Sequence, residues 1–290
     1  MTSPPRSEGA PRVAFDAQIL RPRMSGVERS VRMLASALPA AAPAYQFDFY
    51  WPRCVSPPVS PPDNLRLVRP WWPNAPRPLR IAWQQARLPH HLKRSGAALF
   101  HAPAYIAPWR VPIPYVLTIY DLIALRFPGF CKPLNVAHYR RLMPHSARNA
   151  ARIIAPSESA KRDLVHILNV PAERVRVIPL GVAAQFRPLQ DPEAVAELRR
   201  RVNLPERYIL YVGNFEPKKN LAQLIEVFAD ARRSGRVTAR LVMAGRKAWR
   251  DSEFHHAIRR HRLTELVTLL PDFPDKDLPA LYAGASLFVF

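Results

Sequence analysis

The chain has 290 residues, of which 48% are hydrophobic and 22% are charged, and it carries 43 Lys and Arg against 22 Asp and Glu. This length predicts two domains, and the composition excludes a disordered chain. The sequence contains no run of about 18 or more apolar residues and no apolar core of a signal peptide near its start, so we expect neither a membrane span nor secretion. Cys54 and Cys131 lie outside any metal-binding spacing, which predicts free thiols in a reducing cytoplasm.

The formal net charge of +21 has three interpretations. A basic surface binds nucleic acid by releasing counterions. It is also attracted to anionic membranes, where each Lys or Arg near the surface contributes about 1 kcal/mol. A coding bias toward Arg, Ala and Pro that decorates a solvated surface is the third interpretation, and the short, scattered basic runs favour it. Since no groove-reading motif or aromatic RNA platform accompanies the charge, we predict no specific nucleic-acid partner.

The chain begins with a predicted strand over residues 12–19, a loop, and a helix with apolar residues at helical spacing from Val27 to Leu38. A second strand is predicted over residues 45–51. The thirty or so residues that follow are dense in proline and predict a long irregular connection. In that segment the adjacent Trp71 and Trp72 either contact a membrane or lipid, or cover an apolar patch of the loop itself.

Predicted strands and helices then alternate up to residue 181. The strands cover 97–103, 115–122, 151–157 and 175–181, and the helices cover 81–92, 134–149 and 159–168. This alternation is typical of an α/β fold with a doubly wound parallel sheet. We assign residues 1–185 to a first domain and residues 186–206 to a linker with a short helix.

The second domain, residues 207–290, repeats the scheme. Its strands are predicted at 208–212, 239–244, 266–270 and 286–290, and its helices at 221–233, 252–262 and 276–284. Two such Rossmann-like sheets are expected to face each other across a cleft, a preferred place for a small-molecule site. Because the chain stops at Phe290 inside an apolar strand, we expect this domain to be incomplete.

The segment after residue 208 combines a strand, a turn with Gly213, and the adjacent Lys218 and Lys219 before a helix. Open α/β sheets bind phosphorylated ligands at the carboxyl ends of their strands. Lysines in the first turn of a helix oppose the helix dipole unless an anion lies there. The motif therefore predicts a diphosphate site, although two solvated surface lysines would give the same pattern.

Ordered stretches along nearly the whole chain resemble one family. They read SGVERSVRML, FHAPAYIAP, YVLTIYDLIALRFP, ARIIAPSESAKRDLVHILNVPAERVRVIPLGV, YVGNFEPKKNL, LVMAGRKAW and DFPDKDLPALYAGASLFVF. The chain is similar to retaining GT-B glycosyltransferases that use nucleotide sugars, of group 1 and family 4, and within them to the mannosyltransferase-like branch of polysaccharide assembly. The resemblance implies a nucleotide-sugar donor and a lipid-linked or growing glycan as acceptor. Peripheral contact with the anionic inner face of the membrane is consistent with the basic composition.

The resemblance also implies which residues hold the donor. Gly26 matches the glycine that approaches the diphosphate, although it also fits an ordinary helix-start glycine. Lys219 matches the second member of a basic pair that holds the leaving diphosphate; the first member falls on Asn214, and Lys218 is the residue that would compensate. The remaining donor-side residues of the prediction are Gly213, Glu216 and Gly245. Trp249 and Ser157 are interpreted structurally, Ser157 as a helix N-cap.

On the acceptor side the resemblance points to His101 and Tyr120, and the predicted catalytic residues are Tyr120, Asp121 and Lys219. The family usually has His where this chain has Tyr120, and a tyrosine with a pKa of about 10 donates a hydrogen bond but does not replace imidazole. In this type of transfer the departing phosphate oxygen takes the acceptor's proton, and fixed cations stabilise the diphosphate. No metal or other cofactor is therefore expected.

After the strand that matches SLFVF, the family continues into a Pro-Ser and a Glu-Gly-Phe-Gly stretch that hold the donor's sugar and ribose. We therefore expect a shortened copy or a fragment of a longer gene, with little or no transfer activity. The rival interpretation is a non-catalytic module that binds an acceptor, a membrane or a partner.

Overall fold

The computed structural model describes residues 9–58, 61–70, 76–188, 192–246 and 252–290. The chain divides into two compact units, Met1–Gly181 and Val182–Phe290, and each unit contains its own parallel sheet. The change of unit at Gly181 lies close to residue 185, where the sequence predicts the end of the first domain.

The first unit contains a seven-stranded sheet in which every strand pair is parallel. Its strands are β1 (Arg12–Asp16), β2 (Gln46–Tyr50), β3 (Leu65–Val68), β4 (Leu99–Ala102), β5 (Tyr115–Thr118), β6 (Arg152–Ala155) and β7 (Val175–Val177). The order is β3-β2-β1-β4-β5-β6-β7. The direction of winding therefore reverses between β1 and β4, and ligands of open α/β sheets bind at the carboxyl ends of strands at such a switch point.

Helices accompany the strands of this unit, as predicted for an α/β fold. They are α1 (Gly26–Ala41), α2 (Arg77–Ala86), α3 (Leu88–Arg94), α4 (Ile123–Arg126), α5 (Pro133–Asn149) and α6 (Glu158–Leu168). Successive residues of β1 point to opposite faces of the sheet, so Ala14 and Phe15 belong to two different core clusters. Both faces are thus covered by apolar side chains, as a parallel sheet requires.

Strand β3 corrects the prediction that the proline-rich segment is wholly irregular. Phe47 of β2 pairs with Leu65 of β3, so this short strand forms the edge of the sheet. The carboxylate of Asp48 on β2 is fully buried and accepts hydrogen bonds from Arg12 Nη1 at 2.8 Å and from Arg66 Nε and Nη2 at 2.8 and 2.6 Å. These ion pairs join β1, β2 and β3 and hold the edge strand in place. Prolines lie on both sides of β3 but not within it.

The single helix predicted over residues 81–92 is two helices in the structure. Helix α2 begins earlier, at Arg77, and Arg87 is both the C-cap of α2 and the N-cap of α3. Pro89 lies at the start of α3, and it has no backbone N–H to continue the hydrogen-bond ladder of α2. The earlier start of α2 brings Arg77 and Arg80 onto one helix.

The second unit repeats the architecture with fewer strands. Its sheet contains β8 (Tyr208–Val212), β9 (Arg240–Gly245), β10 (Val267–Pro271) and β11 (Leu287–Phe288), in the order β10-β9-β8-β11 with all pairs parallel. Its helices are α7 (Pro192–Val202), α8 (Leu221–Arg233), α9 (Ser252–Arg260) and α10 (Leu278–Ala283). The winding reverses between β8 and β11, which is the switch point of this sheet.

Helix α7 lies in the segment that the sequence assigns to a linker. In the structure Leu198 of α7 is buried in one core cluster with Leu210 of β8 and Leu281 of α10. Tyr208 Oη donates a hydrogen bond to the carbonyl oxygen of Leu281 at 2.7 Å, below the same helix pair. Helix α7 therefore packs as a layer of the second unit.

Candidate functional site

The turn after β8 is built around two glycines. The Gly213 N–H donates to the Ala244 carbonyl at 2.9 Å, and a Cβ on Gly245 would lie 1.8 Å from the Gly213 carbonyl oxygen. A Cβ on Gly213 would lie 2.6 Å from Tyr211 Oη. Glycine is thus required at position 245 for the ends of β8 and β9 to approach, whereas a side chain at position 213 would have to displace the Tyr211 ring. This packing accounts for both residues without a ligand. Their part in donor binding stays a prediction.

Asn214, Glu216 and Lys218 form a connected chain of contacts in the same turn. Asn214 Nδ2 donates to Glu216 Oε1 at 2.9 Å, and the other carboxylate oxygen of Glu216 lies 3.2 Å from Lys218 Nζ. The charge of Lys218 is therefore partly balanced by Glu216. Asn214, which occupies the position of the first cation of the family's basic pair, supplies an amide donor but no charge.

Lys219 has a different environment from Lys218. Its ammonium nitrogen lies 3.9 Å from the centre of the Phe290 ring, a cation–π contact. The Phe290 ring is stacked on that of Tyr211 with centroids 6.1 Å apart, although Phe290 is 79% exposed. Because Tyr211 belongs to β8 and Phe290 follows β11, Lys219 lies at the switch point of the second sheet.

The two lysines precede helix α8; the prediction that they lie in its first turn is wrong. They belong to a 3₁₀ turn, Pro217–Lys219, and Asn220 follows in the left-handed conformation with φ of 53°. Asn220 is the N-cap of α8, but its side chain donates to Gln223 and does not cap the helix. The first turn of α8 has no acidic residue, so its N–H groups and the two lysines together favour a bound oxyanion.

In the first unit Gly26 is the first residue of α1. A Cβ added to Gly26 would meet no atom within 4 Å, and its φ is not in the left-handed region. Neither packing nor backbone conformation therefore explains a glycine here. The carboxylate of Glu28 accepts from the Ser25 N–H at 2.7 Å, so the start of this helix already has one negative charge beside it.

Tyr120 and Asp121 follow the carboxyl end of β5 and contact Tyr105. Tyr105 Oη donates to Asp121 Oδ2 at 3.1 Å, and the rings of Tyr105 and Tyr120 are 5.7 Å apart. Burial raises the pKa of Tyr120 to about 12, and a hydrogen bond with Ser30 of α1 has a smaller effect that lowers it. The Tyr120 hydroxyl is thus a neutral hydrogen-bond donor near pH 7. Tyr105 has φ of 65°, a costly conformation for a bulky residue and one that clusters at functional sites.

His101 lies in the core of the first sheet. Its Nε2 is 2.9 Å from Thr118 Oγ1, and its ring packs edge-on against Phe15 at 5.1 Å. The residue is 7% exposed, and burial lowers its pKa to about 4. The imidazole is therefore neutral near pH 7, and the contacts with Thr118 and Phe15 explain its position structurally. Contact with an acceptor stays a prediction.

The structure adds residues that the sequence reasoning missed. Asp16 ends β1 at the switch point, is buried, and accepts from the Gln18 N–H at 3.0 Å and from Gln84 Nε2 at 2.8 Å. Burial raises the pKa of Asp16, and the charge of Arg80 acts in the opposite direction. The one feature of the sequence that pointed to Asp16 was its position, a carboxylate at the end of an apolar strand.

Ser157 is confirmed as the N-cap of α6, since its Oγ accepts from the Ala160 N–H at 3.2 Å. Trp71, Trp72 and Trp249 lie outside the described residues. Among the residues that the structure describes, no group of three or more His, Cys, Asp or Glu side chains could hold a metal ion, and no helix is long and apolar enough to cross a membrane.

Two Rossmann-like parallel sheets, each with a switch point, define an α/β protein of the GT-B glycosyltransferase fold. The structure is similar to sucrose-phosphate synthase from Thermosynechococcus elongatus, with a TM-score of 0.68 and 18% identity over 96% of this chain and 74% of that chain. It is also similar to WaaG, a glycosyltransferase involved in lipopolysaccharide biosynthesis, with a TM-score of 0.69 and 19% identity over 95% and 74% of the two chains.

The chain belongs to Glycosyltransferase Family 4, whose family model matches residues 24–186, and the model for glycosyl transferases group 1 matches residues 196–290. It is 25% identical over 192 residues to O-antigen chain mannosyltransferase B of Escherichia coli, covering 66% of this chain and 50% of that protein. It is 27% identical over 211 residues to alpha-D-kanosaminyltransferase of Streptomyces kanamyceticus, covering 70% and 53%. The matched region thus spans about half the length of these two relatives.

Proposed function

We propose, against the expectation of little or no activity, that this chain binds a nucleoside-diphosphate sugar and transfers the sugar, with retention of configuration, to a lipid-linked or growing glycan in polysaccharide assembly. The observation that carries the proposal is the position of Lys219 at the β8–β11 switch point, beside the uncapped first turn of α8. Membership of Glycosyltransferase Family 4 supports the reaction class. Mannose is the leading candidate for the sugar, because the relatives include an O-antigen chain mannosyltransferase.

The proposed chemistry uses few protein groups. The bond between the anomeric carbon and the diphosphate oxygen breaks, and the acceptor hydroxyl oxygen forms the new bond on the same face of the sugar. The departing diphosphate oxygen receives the proton of that hydroxyl, so no protein base is needed. Lys219 stabilises the negative charge that develops on the diphosphate, and Lys218 contributes less because Glu216 already pairs with it.

The first unit contributes backbone and neutral donors in this proposal. The Gly26 backbone lies open, with room for a ligand where a side chain would otherwise stand. Tyr120, protonated near neutral pH, donates a hydrogen bond to a sugar oxygen, and Asp121 is held in place by Tyr105 and by the Ile123 N–H at 3.1 Å. No cofactor is needed beyond the nucleotide-sugar substrate.

Calorimetric titration with GDP and UDP tests the donor site. Replacement Lys219→Met should weaken binding of the preferred nucleotide by about tenfold or more, since a hydrogen bond to a charged group contributes about 1.5–3 kcal/mol. Lys218→Met should have a smaller effect. The matched control is Lys93→Met, which removes the same charge from an exposed site on α3 and should leave the affinity within about twofold. Equal affinities for all three variants would contradict the assignment of Lys219.

A transfer assay tests the reaction itself. The protein is incubated with GDP-mannose or UDP-glucose and a lipid-linked acceptor, and mass spectrometry detects a product heavier by one hexose. Product that Lys219→Met abolishes and Lys93→Met retains would support the proposal. Nucleotide binding without any product would instead support the alternative, a non-catalytic binding module.

A membrane-docking surface is the second candidate function. Arg77 at the start of α2 donates to Asn135 of α5, so the beginnings of these two helices are in contact. Leu79 lies two residues after Arg77, and Leu134 directly precedes Asn135. The two leucines are 60% and 84% exposed. Apolar side chains that project from a basic surface are the chemistry of peripheral membrane contact.

Vesicle co-sedimentation tests this surface. We expect binding to phosphatidylglycerol vesicles, loss of that binding in high salt, and little binding to phosphatidylcholine vesicles. Leu134→Gln should reduce binding severalfold, whereas Val227→Gln, at an exposed position of α8 in the second unit, should not. Equal binding by both variants would show that the Leu79 and Leu134 surface does not dock on the membrane.

A further inference from the structure

Three arginines of the first unit form a cluster beside the carboxyl end of β1. Arg21 Nη1 and Arg80 Nη1 donate to one and the same oxygen, the carbonyl of Gln18, at 3.2 and 3.5 Å. Arg77 lies one helical turn before Arg80 on α2. The pKa of Arg80 is lowered to about 10, chiefly by burial and also by the positive charges of Arg21 and Arg77, so both arginines repel Arg80. Arg21, Arg77 and Arg80 are called the arginine cluster below.

The arginine cluster has little negative charge around it. Within the described parts of the chain, none of the three arginines forms an ion pair with an acidic side chain. Asp16 is the carboxylate that acts on Arg80, but its two oxygens already accept from Gln18 and Gln84. His138 of α5 is also near, since burial and the charges of Arg77 and Arg80 lower its pKa. Like charges held together this way are unfavourable unless an anion joins them.

Two buried donors, on Gln18 and Arg80, have no acceptor among the residues that the structure describes. Gln18 is 3% exposed, and its Nε2 makes no hydrogen bond to any residue that the structure describes. The Nε of Arg80 is likewise buried and without a partner among those residues. A buried donor left unsatisfied costs about 1–3 kcal/mol. Both groups are donors, and the oxygens of an anion are acceptors of the kind that both groups lack.

The surroundings of the arginine cluster indicate which ligand carries that anion. Burial raises the pKa of Tyr139 on α5, whereas the positive charges of Arg77 and, to a smaller extent, Arg80 lower it. The Tyr139 hydroxyl therefore lies near the arginine cluster. The Tyr139 ring is 5.4 Å from that of Tyr105, which in turn packs on Tyr120. The cluster therefore adjoins the tyrosines of the predicted acceptor side.

We propose that the arginine cluster and the Gln18 amide bind a phosphate or diphosphate group esterified to the acceptor, so that the acceptor of this enzyme is a phosphorylated lipid or glycan. This inference rests on the proposed function, because it assigns the acceptor of the same reaction. The guanidinium groups supply charge and paired donors, for which phosphate is a well-matched partner. Gln18 supplies a neutral donor from the loop after β1, the loop that also carries Arg21.

Calorimetric binding of two probes to the full chain tests the inference. The probes are geranyl diphosphate, a lipid diphosphate without a nucleoside, and GDP, a nucleoside diphosphate without a lipid. Arg80→Met should weaken binding of geranyl diphosphate by about tenfold or more and leave the affinity for GDP within about twofold. The control is Arg94→Met, an exposed arginine on α3, which removes an equal charge and should leave both affinities unchanged.

Further variants distinguish a failure of the acceptor assignment from a failure of the donor assignment. Lys219→Met should weaken GDP binding and spare geranyl diphosphate. If Arg80→Met unfolds, as circular dichroism would show, then Arg77→Met and Gln18→Met replace it, each with an expected loss of geranyl diphosphate affinity. Wild-type protein that binds GDP but not geranyl diphosphate would overturn the acceptor assignment and leave the donor site intact. A loss of GDP affinity in Arg80→Met, with geranyl diphosphate unaffected, would assign the cluster to the donor and also overturn the inference.

Discussion

Gly245 faces the carbonyl group of Gly213 so closely that a Cβ on Gly245 would lie 1.8 Å from the Gly213 oxygen. The same turn hydrogen-bonds Gly213 to Ala244 and Phe215 to Arg246, both at 2.9 Å. The backbone that precedes Lys218 and Lys219 is thus fixed by contact between two chain segments. The position of the lysines depends on that contact.

Replacement Gly245→Ala should destabilise the protein by about 3 kcal/mol, because the methyl group meets backbone that cannot move away without breaking the pairing of β8 and β9. Urea unfolding followed by circular dichroism measures the change. Gly181→Ala is the matched control, since a Cβ on Gly181 meets no atom within 4 Å. If the two variants were equally stable, the close approach of Gly245 and Gly213 would be incorrect.

Gly26→Ala, unlike Gly245→Ala, should affect ligand binding and not stability. The added methyl meets no protein atom, and alanine has the higher helix propensity, so stability should be unchanged or slightly higher. Affinity for the nucleoside diphosphate should fall severalfold, because the methyl would stand between ligand and backbone. Calorimetry with GDP or UDP measures this, with the melting temperature as a check on folding. An unchanged affinity would leave Gly26 as a simple helix-start glycine.

His101 should make stability depend on pH. Its folded pKa of about 4 lies below the unfolded value of 6.5, so the unfolded chain binds more protons in the window between those values. The free energy of unfolding should therefore decrease as the pH falls from 6.5 toward 4, by at most about 1.4 kcal/mol per pH unit from this residue. As the pH rises above 6.5, the contribution of His101 to this slope fades toward zero.

Urea unfolding at pH 7 and pH 5 tests this dependence. In His101→Gln the titrating group is gone while an amide can still bond to Thr118, so the difference in stability between the two pH values should shrink relative to wild type. Identical pH dependence in the two proteins would show that His101 is not buried as a neutral residue.

Ser157→Ala should cost about 1 kcal/mol, since the hydroxyl caps an N–H at the start of α6. Ser36→Ala is a suitable comparison, because the Ser36 hydroxyl donates to the Arg32 carbonyl within α1 and caps no free N–H group. That change should be neutral or slightly stabilising. Equal losses in the two variants would argue against a capping role for Ser157.

Local patterns in the sequence predict much of this fold. The bounds of β8 and α8 agree with the prediction, because each is a continuous apolar or amphipathic run with clear ends. Strand β3 was missed because four residues between prolines give too short a pattern, and its place in the sheet depends on pairing with β2 and on Asp48, which lie elsewhere in the sequence.

The candidate site also has a part that the sequence predicts and a part that only the fold reveals. The turn with Lys218 and Lys219 is contiguous, and the sequence predicts it directly. The arginine cluster is assembled from the loop after β1 and from α2, and only the fold brings Arg21 and Arg80 to one carbonyl oxygen. The spacing of Arg77 and Arg80, three residues apart, was the one available signal, and it acquires meaning only once α2 is known to start at Arg77.

The burial of Asp48 between Arg12 and Arg66 has a consequence for self-association. Strand β3 covers the outer side of β2, and it is short and bears a charged side chain. If the Asp48 contacts were removed, for instance in Asp48→Leu, detachment of β3 would uncover a longer row of free N–H and C=O groups on β2, a template for strands of other molecules. We therefore expect the Asp48 carboxylate to limit intermolecular β-pairing and the aggregates that would grow from it.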